Sequence, residues 1–361
     1  MGTYTKDDFG KVHYAYFRVM SLRNISYLAS VIPGLLAIVG NVKGGYWTLS
    51  AAAFALVILG LVEWFAGKDR KNNHTENRDP FPEFILFLHV AVQTGVLITF
   101  FLGIYNQTLQ DAWVFWAAFS TGVAAGIGGI VPAHELIHKA NPVKQFLGKF
   151  LLMSCGNVYF FTHHLRIHHR YVATDHDSAT ARKGESLYAF MWRTIPGQYR
   201  EAWQSESEML GKKGKSAFSF GNVLWVQTLI QLVFLPVVYL VLGPVGLAAW
   251  LLYVLVAHVL LEYVNYIEHY GLYRENDERV SELHSWNSDS RVSRYLLVDL
   301  SRHADHHFYA SKPYHTLQTY DNAPELPGGY AALLVPALVP PLWKALVHPR
   351  LAAWEENRKG A

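Results

Sequence analysis

Six long apolar segments constrain the fold of this chain more than any other feature of its sequence. Each segment is free of Lys and Arg, and each approaches the ~20 residues that an α-helix needs to cross the hydrocarbon core of a bilayer. The first segment is the shortest and contains Pro33. The segments cover residues 24–40, 46–66, 84–105, 112–132, 223–243 and 244–265. The sequence therefore predicts an all-α integral membrane protein with six transmembrane helices.

The distribution of basic residues predicts the orientation of these helices. Of the 31 Lys and Arg residues, only Lys43 lies in the three short loops at residues 42–45, 106–111 and 243–244. Basic residues concentrate on the cytoplasmic side of membrane proteins, so both termini and all long loops are predicted there. The long loops form a cytoplasmic helical cap, mainly residues 133–221 and 267–361, in a single membrane-embedded domain that spans residues 1–361.

Composition excludes several classes of function. The formal net charge of +3 is too small to indicate a nucleic-acid partner. The chain has one cysteine, Cys155, which excludes an intramolecular disulfide framework. A built-in iron–sulfur cluster or rubredoxin-type site is excluded as well, because each needs several thiolates.

Histidines are the residues that indicate chemistry. The chain has 18 of them, and more than half fall into four groups on the predicted cytoplasmic side. Residues four apart on a helix project from one face about 6 Å apart, which pairs His134 with His138 and His164 with His168. In the last group, His303 shares a helical face with both His306 and His307.

Nine histidines are therefore candidate metal ligands. Nine imidazoles exceed what one metal ion can use but suit two ions with open positions, so the cap is predicted to hold a dimetal site. Imidazole binds iron, copper and zinc alike, and the pattern alone does not name the metal. The nine candidates are His134, His138, His164, His168, His169, His269, His303, His306 and His307.

Two other metal sites are compatible with parts of this pattern. The segment from His134 to His138 reads His-Glu-x-x-His, the motif of zinc-dependent hydrolases in which Glu135 would be the base. That interpretation leaves the other histidine groups unexplained. Soluble di-iron proteins use Glu-x-x-His twice, but Glu135-x-x-His138 has no second copy.

The histidine groups resemble the boxes of the integral-membrane alkane 1-monooxygenases, with the xylene-type methyl hydroxylases as close relatives. The resemblance covers most of the chain. The first, second and third boxes are similar to HELIHK (134–139), HHLRIHHRYVAT (163–174) and SRHADHH (301–307), and an additional family motif to NYIEHYGL (265–272). Further segments that resemble the family are GESLYAF (184–190), HSWNSD (284–289) and PELPGGY (324–330).

This resemblance implies a fatty-acid-desaturase-like fold in which the nine histidines bind two non-haem iron ions. It implies O₂ as co-substrate and hydroxylation of the terminal methyl group of alkanes to 1-alkanols. It also implies a bacterial inner membrane and electrons from a rubredoxin or ferredoxin with its NAD(P)H-dependent reductase. Aryl-methyl hydroxylation and acyl desaturation or hydroxylation remain alternatives, although desaturases usually have HxxHH where this chain has HxxxHH.

The second box departs from the family pattern at two positions. The family commonly has Glu before the first histidine and Gly before the final pair, where this chain has His163 and Ile167. These departures bear on substrate preference and on the groups around the metal ligands.

Carboxylates are expected around the imidazoles. Metal-bound histidines usually donate the other ring N–H group to a carboxylate or carbonyl oxygen. Asp175 and Asp177 follow the second box. The carboxylates that lie next to a ligand, or about one helical turn from one, are Glu135, Glu268, Asp299 and Asp305.

Overall fold

The computed structural model describes residues 3–6, 12–15, 22–72 and 79–359. The outermost residues of both termini, which the charge pattern predicts on the cytoplasmic side, lie outside these ranges. The described residues are mainly helical, as the sequence predicts. A short antiparallel hairpin of β1 (Thr3–Lys6) and β2 (Val12–Ala15) precedes the first helix.

Five helices are long and apolar enough to cross a membrane within the described ranges. The first four are α1 (Arg23–Lys43), α2 (Gly45–Phe65), α3 (Phe81–Tyr105) and α4 (Asp111–Ile137). Next come α5 (Pro142–Ser154), α6 (Phe160–His163, His164–His168 and His169–Tyr171 in succession), α7 (Leu187–Gly211) and the fifth apolar helix, α8 (Val223–His269). The remaining helices are α9 (Arg291–Leu296), α10 (His303–Phe308), α11 (Tyr330–Leu338) and α12 (Pro340–Lys359).

Helix α8 is a hairpin of two antiparallel segments that meet at Gly243. This residue has φ 71° and ψ −173°, which are not helical angles. The Gln231 amide donates to the Met153 carbonyl oxygen at 2.7 Å and the Tyr253 hydroxyl to the next carbonyl oxygen, that of Ser154, at 2.9 Å. In a straight helix, residues 231 and 253 would lie about 33 Å apart. The reversal falls at the boundary that the sequence predicts between the fifth and sixth apolar segments.

Polar side chains mark where helices α5, α7 and α8 begin. The Asn141 side chain accepts hydrogen bonds from Val143 N and Lys144 N at the start of α5. Ser186 and Asn222 cap α7 and α8 in the same way. Side-chain oxygens at this position satisfy backbone N–H groups that have no partner within the helix. The bounds of these helices are therefore set locally by the sequence.

Helix α4 lies at the centre of the apolar bundle. Within the most apolar 18 residues of α4, 72% are buried inside the protein, and the corresponding share for α8 is 17%. Small residues permit close approach between membrane helices, and a Cβ at Gly122 of α4 would lie 2.7 Å from the Tyr253 carbonyl oxygen of α8. On the outer face of α8, Leu240 and Val233 are 80% and 66% exposed, as expected for contact with lipid. The close packing brings the C-terminal ends of α4 and α8 together.

Glu63, near the end of α2, fastens two short helices of the cap to the bundle. Its carboxylate accepts the backbone N–H groups of Ser293 at 3.0 Å and Ala332 at 2.9 Å, which lie in the first turns of α9 and α11. The Ser290 hydroxyl adds a hydrogen bond of 2.6 Å. A Cβ at Gly329 would overlap a Glu63 oxygen, so this position requires glycine. One buried carboxylate therefore caps two helix N-termini, where negative charge is favoured.

Replacement of this carboxylate should loosen the cap. Glu63→Gln retains one acceptor oxygen and places an amide N–H group against backbone donors, so we expect a loss of about 1–3 kcal/mol in stability. The check is the midpoint of thermal denaturation of the detergent-purified protein. The matched control is Glu83→Gln, because Glu83 is 48% exposed and its bond to Lys144 is at the surface, where such pairs contribute little. Equal midpoints for the two variants would contradict the capping role.

Candidate metal centre

The structure gathers all nine candidate histidines into two adjacent clusters. In each cluster, the potential ligand atoms lie within 4.8 Å of one another. The rings of His169 and His307, one from each cluster, stack at a centroid distance of 4.5 Å. The five-histidine cluster contains His134, His138, His164, His169 and His306, and the four-histidine cluster contains His168, His269, His303 and His307.

The five-histidine cluster draws on three helices. His134 lies at the C-terminal end of α4 and His138 directly follows it, whereas His164 and His169 come from α6 and His306 from α10. The Nε2 atom of His164 lies 3.0 Å from those of both His138 and His169, and His306 Nε2 lies 3.1 Å from His169 Nε2. The His134 ring is 4.4 Å from the His306 ring. The nitrogen atoms thus point at a common space between the helices.

The four-histidine cluster joins the ends of α6, α8 and α10. His303 Nε2 lies 3.2 Å from His269 Nε2 and 2.9 Å from His307 Nε2. The His168 ring lies 4.7 Å from the His269 ring and 4.8 Å from the His307 ring. The motif around His269 therefore contributes one ligand where α8 meets the cap.

A π-helical turn changes how the second histidine box is used. Four-residue spacing predicts that His164 and His168 share a face, but the structure places them in different clusters. Residues 164–168 form a π-helical turn, in which His169 N donates to His164 O, so residues five apart share a face. His164 therefore pairs with His169, and His168 turns to the other cluster. Ile167 lies within this turn without a positive φ, so the turn does not require Gly there.

The donor set fits two metal ions. With metal–nitrogen bonds of about 2.0–2.1 Å, imidazole nitrogens bound at right angles lie roughly 3 Å apart, as the Nε2 atoms do here. Buried polar atoms normally have hydrogen-bond partners, yet the Nε2 atoms of His134 and His168 are buried without one. Two unpaired nitrogens aimed into the clusters indicate ligands that need a cation.

Burial favours the neutral form, which is the form that binds metals, in six of the nine imidazoles. Burial, with a smaller contribution from Lys139, lowers the pKa of His138 to about 3. Burial and the neighbouring imidazoles hold the pKa values of five further histidines well below their usual range. These are His164 and His169 of α6 and His303, His306 and His307 of α10. These six rings therefore carry lone pairs at neutral pH and do not repel a cation.

Asp177 orients one ligand from outside the four-histidine cluster. Its carboxylate lies 2.9 Å from His168 Nδ1 and accepts the Thr180 hydroxyl at 2.7 Å. Burial raises the pKa of Asp177, but His168 and His163 outweigh burial and leave this pKa below its usual range. The carboxylate binds the Nδ1 side of His168 and leaves Nε2 without a hydrogen-bond partner, as an acceptor behind a metal-binding imidazole does.

Of the four carboxylates singled out by position, Glu268 is the one that approaches a cluster nitrogen. Its Oε2 atom lies 3.2 Å from His303 Nε2, and its Oε1 atom accepts the Tyr330 hydroxyl at 2.7 Å. His303 Nε2 is the nitrogen that faces the other histidines of the cluster, so Glu268 lies on the inner side of the cluster.

The other three carboxylates bind groups of the surrounding protein. Glu135, which would be the base in the hydrolase interpretation, is one of these three. The partners are Lys139 and Tyr314 N for Glu135, Arg23, Tyr27 and Arg294 for Asp299, and Lys312, Gln318 N and Tyr320 for Asp305.

An apolar cavity ends at the two clusters. His134 and His164 of the five-histidine cluster and His303 of the four-histidine cluster line one end. The opposite part of the wall includes Gly126, about 12 Å from His134 along the α4 axis. Apolar lining residues from five helices include Ala55, Ile127, Leu260, Leu296 and Leu334. The cavity therefore joins an apolar space to imidazoles of both clusters.

Sequence reasoning did not identify Tyr330 as part of the site. Tyr330 lines the cavity and holds Glu268, although 23 residues separate it from His307. Its only signal in the sequence is its place at the end of PELPGGY. That segment has no histidines or carboxylates at the spacing of metal ligands.

Comparisons with known proteins agree with this site. A sequence model of the fatty acid desaturase family matches residues 111–335. The chain is 34% identical over 322 residues to alkane 1-monooxygenase 1 of Pseudomonas aeruginosa, covering 86% of this chain and 84% of that protein. It is 35% identical over 327 residues to alkane 1-monooxygenase 2 of Alcanivorax borkumensis, covering 86% and 85%. A xylene/toluene monooxygenase hydroxylase component of Pseudomonas putida is 26% identical over 338 residues, covering 92% and 89%.

Removal of the Asp177 charge should weaken metal binding. Asp177→Asn loses the acceptor that orients His168, and such substitutions typically cost 10- to 100-fold in metal affinity. The measurement is metal content after dialysis against chelators of increasing strength. Asp175→Asn, which changes an exposed carboxylate in the same loop, should retain metal like the unaltered protein. Equal retention by the two variants would contradict the role of Asp177.

Proposed function

This chain belongs to the fatty acid desaturase family and, within it, to the alkane 1-monooxygenases, and from that premise we propose that it hydroxylates the terminal methyl group of alkanes at a di-iron site. The observation that carries the proposal is the apolar cavity whose end is lined by imidazoles from both clusters, His134, His164 and His303. A cavity of this kind recognises its ligand by shape and apolar contact.

The proposed reaction consumes O₂, two electrons and two protons. One oxygen atom enters a C–H bond of the methyl group to give a 1-alkanol, and the other leaves as water. When bound, the two iron ions supply the reduction of O₂ and the oxidising power to cleave the C–H bond. The protein contributes the arrangement of ligands, the position of the substrate and the exclusion of water.

The chain's own residues divide these tasks. The nine imidazoles hold the ions, and Asp177 orients His168. The apolar wall excludes water and directs the end of a substrate towards His134 and His303. Burial raises the pKa of Tyr330 well above its usual range, so the hydroxyl stays protonated. It donates a hydrogen bond to Glu268. Glu268 is thereby held beside His303.

Electrons are proposed to come from a soluble rubredoxin or ferredoxin and its NAD(P)H-dependent reductase. The single cysteine of the chain is buried, and an iron–sulfur centre needs several thiolates. The exposed residues Lys212, Lys213 and Lys215 add positive charge to the cap, which favours encounter with an acidic carrier.

We place the protein in a bacterial inner membrane as one domain with six crossings. The reversal of α8 at Gly243 supplies the sixth crossing beside the five long apolar helices. An even number of crossings puts both termini on the side of the cap, and the basic long loops place that side in the cytoplasm. Substrate dissolved in the bilayer would then reach the cavity between lipid-embedded helices.

Loss of one ligand tests the di-iron assignment. His307→Ala should retain about one of two iron ions and lose turnover by at least roughly a thousandfold, while the protein stays in the membrane. The measurements are iron content and mass spectrometry of products from cells that co-express a rubredoxin system and receive alkanes, toluenes and fatty acids. His176→Ala is the matched control, because His176 is exposed and outside both clusters.

The product spectrum of the unaltered protein decides the substrate. 1-Alkanols support the proposal, whereas benzylic alcohols or unsaturated fatty acids as main products would replace it. Full activity of the His307→Ala protein, or one zinc ion per chain in place of two irons, would remove the di-iron assignment.

The length of the cavity should limit the length of the substrate. Ala55→Phe adds a ring to the wall, so we expect kcat/KM for long alkanes to fall about tenfold or more relative to short ones. Val57→Phe is the matched control on the same helix, because Val57 is 57% exposed at the outer surface. An unchanged chain-length profile for Ala55→Phe would show that substrate does not occupy this cavity.

A further inference from the structure

Three potential metal ligands lie together outside the two histidine clusters. His163 Nε2 is 2.9 Å from Glu201 Oε2 and 3.6 Å from Asp177 Oδ1. These atoms lie within 4.8 Å of one another. The side chains of His163 and Asp177 are 1% and 0% exposed, whereas Glu201 is 26% exposed. The group therefore joins a buried imidazole to a carboxylate that meets solvent.

A hydrogen bond accounts for only part of this arrangement. His163 and Glu201 form an ordinary pair, but the 3.6 Å separation between His163 Nε2 and Asp177 Oδ1 is beyond hydrogen-bond range. Two carboxylates thus face one imidazole nitrogen in a largely buried space. Backbone donors meet part of the cost of burying these charges, since Ala179 N donates to Asp177 Oδ1 at 3.0 Å and Ser178 N to Glu201 Oε2 at 3.3 Å. Two negative charges in a buried space also favour a compensating positive charge.

The nearby arginine does not fill that role. Arg193 is close enough to interact electrostatically with both Asp177 and Glu201. Its guanidinium, however, binds Glu185 through two hydrogen bonds of 2.9 Å and also donates to the Ser178 carbonyl oxygen. The charge of Arg193 is therefore largely matched by Glu185.

We propose that His163 Nε2, Asp177 Oδ1 and Glu201 Oε2 bind a third divalent transition-metal ion, such as Zn²⁺ or Fe²⁺. Bonds of about 2.0–2.2 Å to nitrogen and oxygen place neighbouring ligand atoms roughly 3–3.5 Å apart, close to the two separations found here. One imidazole with two carboxylates is a donor set that such ions accept.

Open positions of the third ion would face water. Asp177 and its neighbour Ser178 line a polar cavity with a volume of about 590 Å³ on the cap. Water in this cavity can complete the coordination of an ion held by only three protein ligands. The 26% exposed Glu201 is the ligand through which the site meets solvent.

Asp177 connects the third site to the four-histidine cluster. Its Oδ2 atom remains bonded to His168 Nδ1 at 2.9 Å, while Oδ1 faces His163. One oxygen of the Asp177 carboxylate thus contacts His168 of the four-histidine cluster, the inner site. The other oxygen binds the third ion, the outer ion. The affinity of the outer ion is expected to be the lower of the two, since its coordination depends on solvent.

Metal titration tests the third site. The full-length protein in detergent is stripped with a chelator and titrated with Co²⁺, and bound metal is counted by mass spectrometry and by the visible absorption of the bound ion. We expect three ions per unaltered chain, the third more weakly bound. In Glu201→Gln the third ion should bind at least tenfold more weakly, with the two inner ions unchanged.

The matched control is Glu208→Gln, an exposed position on the same helix whose partner is Gln204. This variant should bind three ions, and retention of the inner ions shows that each variant is folded. Equal stoichiometry and affinity in the unaltered and Glu201→Gln proteins would overturn the proposal. If the inner di-iron assignment fails, totals change in all variants, but the difference of one ion between these two proteins still tests the outer site.

Discussion

The convergence of nine imidazole rings, which belong to seven buried and two partly buried histidines, is the constraint on which the rest of this structure depends. Candidate ligand nitrogens from four separate stretches of chain lie about 3 Å apart, and burial holds the pKa of His164 and of His307 well below the usual range. Such an arrangement loses the solvation of many polar atoms, so the surrounding protein must hold it in place. The metal ions that the donor set fits would recover much of that cost.

Buried carboxylates secure the cap to the membrane helices around this site. Glu63 joins α2 to the first turns of α9 and α11. Asp299 binds Arg294 at 2.7 Å and also Arg23 at the start of α1. Removing one partner of such a buried group is costly, because the other is left without compensation. The short helix α10, which carries three ligands, is thereby held over the ends of α4 and α8.

The backbone geometry of α6 decides how the two clusters share their ligands. A regular α-helix would place His164 and His168 on one face, and both would serve one ion. The π-helical turn instead sends His164 and His169 to one cluster and His168 to the other. π-Helical turns often occur at functional sites, and here the turn supplies both clusters from a single short segment. The same segment carries His163, which faces Asp177 and Glu201 on the outer side.

The sequence alone determined the helical class, the apolar segments and the nine histidines, because few kinds of protein combine long uncharged runs with dense histidine groups. The reversal of α8 at Gly243 falls at the predicted boundary for a related reason, because a 47-residue apolar stretch is too long for one crossing. Only the tertiary structure assigned each histidine to a cluster, selected Asp177 among the nearby carboxylates and brought Tyr330 to Glu268. Spacing along the chain assumes regular helices and is blind to contacts between distant segments, whereas these assignments depend on one π-helical turn and on packing between residues far apart in sequence.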